Sequence, residues 1–65
     1  MQVIQFGLGT MGLPMATTLS AEGVDLVATD AMEEARDAFA AAGGRVEHPD
    51  AIDVSIASVV LTMLP

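Results

Sequence analysis

The stretch Gln5–Leu19, "QFGLGTMGLPMATTL", sets three glycines and a proline between a segment that reads as a strand and one that reads as a helix. On its amino side, Gln2 to Phe6 ("QVIQF") is short, β-branched and bounded by Gly7, which suits a strand buried on both faces. On its carboxyl side the period changes from 2 to about 3.6. From Thr10 onward, Met11, Met15 and Leu19, with Ala16, form one stripe of a helix that starts near Thr10 or Met11 and that Gly23 stops near Glu22. Met11, Met15 and Met63 read as core packing. Pro14 falls in the first helical turn, where a missing N–H costs little because those donors have no intrahelical acceptor.

Further out, Val24 to Thr29 ("VDLVAT") is a second strand. Met32 to Gly43 ("MEEARDAFAAAG") is a second helix, with acidic residues in its first turn and glycines closing it. Ala35, Ala38, Phe39 and Ala42 make its expected packing face, and Glu33, Glu34 and Asp37 its wet face. Arg45 to Glu47 reads as a short third strand, "HPDAIDVSI" as a loop with one or two helical turns, and "SVVLTML" as an apolar last strand. Strands alternating with helices at this spacing imply right-handed crossovers and a parallel sheet with helices on its faces, half of a doubly wound α/β fold.

Gly7, Gly9 and Gly12 spell GxGxxG directly between strand and helix, the context a dinucleotide-binding loop requires. Gly7 would permit the tight turn, Gly9 the close approach of backbone to a pyrophosphate, and Gly12 the packing of helix on sheet. The anion would rest on the helix N-terminus, held by unpaired N–H groups and the helix dipole. An ordinary glycine-rich turn spells the same letters, so a second feature is needed. Asp30 supplies it: it lies 18 residues past Gly12, at the end of the second strand, where such folds place a carboxylate on the adenosine ribose. Ala31 follows it where an Arg would suit a 2′-phosphate, which favours NAD over NADP. The competing reading is that Asp30 caps the second helix.

Composition narrows the field. Two Arg, no Lys and nine acidic residues give a net charge of −7, which disfavours nucleic acid and anionic membrane as partners. Cysteine is absent, so disulfides and thiol chemistry are too. The start, "MQVIQF", has no basic region and no apolar run nears the ~20 residues of a membrane span, so a soluble cytoplasmic protein is expected. His48, in "EHPDAID", matches no zinc spacing and reads as a solvated loop histidine. At 65 residues the chain makes one small unit, without repeats or linkers.

"GLGTMGLPMATTL" and the terminal "LTMLP" resemble the amino-terminal signature of the β-hydroxyacid dehydrogenases, whose pattern is close to GxGxMGxxMAxNL with "LP" ending the fourth strand. That family contains 3-hydroxyisobutyrate dehydrogenase, tartronate semialdehyde reductase and, more distantly, 6-phosphogluconate dehydrogenase. The resemblance implies a Rossmann-type domain in which backbone from Gly7 through Leu8, Gly9, Thr10 and Met11 to Gly12 cradles the cofactor diphosphate. Asp30 would bind the ribose, and Leu64 and Pro65 would line the cleft. Thr18 stands where the family often has Asn, and Ser58 where it usually has Asp. It further implies an NAD-dependent enzyme acting on a small 3-hydroxy acid, a homo-oligomer, of which residues 1–65 are an amino-terminal fragment lacking the lysine-bearing substrate domain and inactive alone. A non-catalytic nucleotide-binding module, and a methyltransferase fold holding S-adenosylmethionine, are the readings of other classes.

Overall fold

The computed structural model describes residues 1–63. The chain runs β1 (Gln2–Phe6), α1 (Gly12–Ala21), β2 (Asp25–Thr29), α2 (Glu33–Ala41), β3 (Arg45–Val46), two 3-10 turns (Pro49–Ala51 and Val54–Ile56) and β4 (Val59–Thr62). All strand pairs are parallel, in the order β3-β2-β1-β4. The chain thus steps outward from β1 to β2 to β3, then returns to the other side of β1. No helix among the described residues is long and apolar enough to cross a membrane.

Register explains the two layers. Val3 pairs with Leu26 and Gln5 with Ala28, so these four side chains share a face; Ile4 and Val27 share the other. On the first face Val3, Leu26 and Ala28 form one core with Leu8, Ala16 of α1 and Phe39 of α2. Both helices therefore lie on the same side, as two successive right-handed crossovers in one direction demand. On the second face Ile4 and Val27 border a small cavity together with Ile52 and Ile56 from the segment holding the 3-10 turns. β1 is buried on both faces, as its apolar run predicts, with only its end residues partly exposed.

Both helices close with the same hydrogen-bond pair. In α1 the N–H groups of Gly23 and Val24 donate to the carbonyls of Ser20 and Leu19, and in α2 those of Gly43 and Gly44 donate to Ala40 and Phe39. This Schellman closure needs a left-handed residue, supplied by Gly23 at φ 88° and Gly43 at φ 93°.

The packing faces differ from the expected ones. α1 begins at Gly12, and Gly12 and Ala16 are its buried residues; Met11 is 72% exposed, and Met15 is exposed as well. Of the expected stripe Ala16 is buried and Leu19 packs against the core, while the methionines give way to Gly12, whose lack of a side chain lets the helix backbone sit directly against the β1 turn. Met63 is only partly buried. In α2, Phe39 is buried and Ala35 packs beside it, but Ala38 and Ala42 are exposed. The Phe39 ring fills the space under α2 by itself, and a Cβ on Gly44 would lie 2.3 Å from it. Gly44→Ala is therefore expected to destabilise the fold by about 1–3 kcal/mol through overpacking, read as a lowered thermal midpoint.

Candidate functional site

The carboxyl ends of β1, β2 and β4 open onto a cleft of about 580 Å³. Phe6, Gly7 and Gly9 line it from β1 and the loop beyond, Asp30 and Met32 from the β2–α2 junction, and Thr62 and Met63 from the end of β4. Because the chain leaves β1 toward β2 and returns beside β1 as β4, this is the point where the winding direction switches, the place where open parallel sheets bind ligands.

Each glycine of the loop has its own geometry. Gly7 turns the chain out of β1 at φ 108°, with its N–H on the Thr29 carbonyl at 2.9 Å. Gly9 has open space where a Cβ would stand. At Gly12 a Cβ would lie 2.2 Å from the Gly7 carbonyl oxygen, so α1 starts hard against the turn. Pro14 is the third residue of α1, within the first turn.

The start of α1 is open to an anion. Met11 stands at the N-cap without a side-chain cap, and no acidic residue occupies the first turn. The Leu8 N–H is committed to Asp30, but those of Gly9, Thr10, Met11 and Gly12 donate to no acceptor among the described residues. α2 contrasts, carrying Glu33 and Glu34 in its first turn. Free N–H groups, an aligned helix dipole and a bare Gly9 together fit a dinucleotide phosphate.

Asp30 is tied into this loop. Its Oδ2 accepts the Leu8 N–H and its Oδ1 the Met32 N–H, each at 2.8 Å. Met32, not Asp30, is the N-cap of α2, so the carboxylate closes a turn ahead of the helix rather than capping it. A carboxylate has about four lone-pair positions, so two remain for ribose hydroxyls. The Leu8 N–H, then that of Met32, hold the Asp30 carboxyl below the usual aspartate range, with Arg36 adding to the effect and burial opposing it.

A depressed folded pKa means stability that is present above the unfolded value and lost as pH falls through the folded one. Acid below about pH 4 is therefore expected to loosen the loop from β2. Asp53 is lowered as well, by the Ser55 hydroxyl and N–H, so the acid limb of wild type alone does not isolate Asp30. Midpoints measured between pH 2 and 7 should fall less steeply in Asp30→Asn than in wild type; parallel curves would mean the bond to Leu8 contributes nothing.

The structure thus gathers Gly7, Leu8, Gly9, Thr10, Met11 and Gly12 in one loop and bonds it to Asp30; Leu64 and Pro65 lie outside the described residues. It adds two residues that spacing did not single out. Gln5, fully buried on the helix face of β1, donates through Nε2 to the carbonyls of Gly7 and Gly12 at 3.0 and 2.8 Å, bracing the turn against α1. Both neighbours are acceptors, which fixes which end of the carboxamide faces them. Arg36, one turn into α2, donates from Nη1 to the Asp30 carbonyl at 2.6 Å. The available signals were a glutamine inside an apolar strand and an arginine six residues past the acid. His48 is exposed in its loop, its Nδ1 accepting the Asp50 N–H, and among the described residues no three His, Cys, Asp or Glu gather for a metal.

A parallel sheet with a glycine loop, a bare helix start and an acid at the next strand's end defines a dinucleotide-binding α/β domain. Residues 2–65 match the family described as the NAD binding domain of 6-phosphogluconate dehydrogenase, and the chain belongs to that family. It is also 41% identical over 64 residues to the NAD-dependent L-serine dehydrogenase of Pseudomonas aeruginosa, a match covering 98% of this chain. The chain spans 22% of the length of that curated relative. No solved structure matches it. The kinship with β-hydroxyacid dehydrogenases read from the GxGxMG loop is borne out.

Proposed function

We propose that this chain is the amino-terminal part of the NAD-binding domain of an NAD-dependent dehydrogenase acting on a small 3-hydroxy acid. The observation that carries the reading is the Leu8–Asp30 hydrogen bond, which couples the diphosphate loop to the ribose-binding carboxylate at the switch point. The N–H groups of Gly9, Thr10, Met11 and Gly12 hold the diphosphate, with Gly7 shaping the turn beneath them. Asp30 accepts from the adenosine ribose. When bound, the nicotinamide ring accepts or returns the hydride. The serine named for the relative has its hydroxyl on C3, as 3-hydroxyisobutyrate does, which supports a substrate of that class.

The catalytic groups belong to chain beyond these residues, in keeping with the 22% coverage of the relative, and no turnover is expected from the 65 residues alone. The test is a titration of NAD, NADP and S-adenosylmethionine into the full-length protein, followed by an assay of NAD reduction with L-serine and 3-hydroxyisobutyrate. NAD should bind most tightly and one of these acids should support reduction. Preference for S-adenosylmethionine would overturn the reading, and NAD binding without turnover on any 3-hydroxy acid would leave a nucleotide-binding module instead of an enzyme.

A further inference from the structure

We infer that Arg36, held on the backbone of Asp30 just behind the cleft lining, is a second cofactor-specificity residue that opposes the Asp30 carboxylate: it draws a 2′-phosphate toward the site from which the carboxylate repels it. The inference rests on the proposed NAD-binding role. Helical side chains lean toward the helix N-terminus, and from the first turns of α2 this brings the Arg36 guanidinium back over Asp30. There Nη1 donates to the Asp30 carbonyl at 2.6 Å, and the remaining guanidinium donors have no acceptor among the described residues. The charge is felt at the neighbouring carboxylate, where Arg36 favours the ionised form.

Among the described residues no other arginine competes for this position. Arg45 is paired with Asp25 at 2.8 Å, at the opposite end of β2, about 16 Å along the strand from Asp30 and beyond the reach of unscreened attraction. Arg36 is half-buried, so its field is less screened than that of a surface cation, and a planar guanidinium suits phosphate oxygens. The exposed Glu33 and Glu34 of the same turn work against it and limit the effect. Ala31, the neighbour of Asp30, contributes no charge, so the choice between the two cofactors falls to one carboxylate and one guanidinium six residues apart.

The experiment is a titration of NAD and NADP into the full-length wild type, Arg36→Gln, Arg36→Lys, Asp30→Ser and the Asp30→Ser/Arg36→Gln double variant. In wild type, NAD is preferred. Arg36→Gln should weaken NADP about 5–10-fold while changing NAD less than about 2-fold, and Arg36→Lys should restore most of the loss. Asp30→Ser should strengthen NADP relative to NAD, and Arg36→Gln in that background should remove the gain, with the difference shrinking in high salt. Because Asp30→Ser and the double variant share the same broken loop contact, loss of the Leu8 bond cancels between them. Equal NADP affinity with Arg and Gln at position 36, in both backgrounds, overturns the inference while leaving NAD binding intact. Failure of wild type to bind either dinucleotide overturns the proposed function, and this inference with it.

Discussion

Gly9→Val is expected to weaken NAD binding on the order of 100-fold, about 2.7 kcal/mol, while the protein's thermal midpoint moves by only a few degrees. The two halves of that expectation come from two observations. Gly9 has no positive φ, so its backbone is one that valine can adopt, and nothing lies within 4 Å of the place its Cβ would take. The fold therefore has room for the side chain. The same space borders the cleft beside free N–H groups, where the proposed diphosphate would touch backbone. A branched side chain there keeps the anion away from its donors. The check is a cofactor titration and a melting curve on the same preparation; retained affinity would mean that the open space at Gly9 is not the phosphate seat.

Gly12→Ala is expected to do the reverse, destabilising the domain by about 3 kcal/mol and lowering the midpoint by about 10 °C, with NAD binding lost as a consequence. A single methyl suffices because its nearest neighbour is backbone: the Gly7 carbonyl oxygen, 2.2 Å from the ideal Cβ. That carbonyl has little freedom to retreat. The Gly7 N–H is bonded to Thr29, and the carbonyl itself accepts from Gln5. Relief requires α1 to lift from the turn, which exposes Ala16 and the core residues it covers. Thermal unfolding of Gly9→Val and Gly12→Ala side by side separates the two glycines, one kept for ligand space and one for packing. Equal midpoints would show that the close approach of α1 to Gly7 is not needed.

Much of this was readable in the chain. The change of period at Gly7, the alternation of strand and helix and the spacing from Gly12 to Asp30 are local or nearly local signals, and each corresponds to an observed element. Even the segment "HPDAIDVSI" contains two short turns, capped by His48 and Asp53. The orientation of the helices was less readable. Hydrophobic spacing puts Met11 and Met15 in one stripe with Ala16 and Leu19, and Ala38 and Ala42 in one face with Ala35 and Phe39, although only part of each set is buried. Distance to the sheet separates them, and that distance follows from the Gly7–Gly12 contact and from the Phe39 ring over Gly44.

The sequence by itself determined a parallel α/β unit, a glycine-rich loop at the first strand–helix junction and an acid at the end of the second strand. These follow from backbone rules acting over a few residues, the freedom of glycine and the period of buried side chains. Only the tertiary structure decided that Gln5 braces the loop across 7 residues, that Leu8 reaches Asp30 across 22, and that Arg36 folds back onto the Asp30 carbonyl. Such bonds exist only once the register of β1 against β2 brings Phe6 level with Thr29 and sets the two strand ends side by side. Hydrogen bonds are short and directional, so their partners are chosen by that placement in space rather than by spacing along the chain.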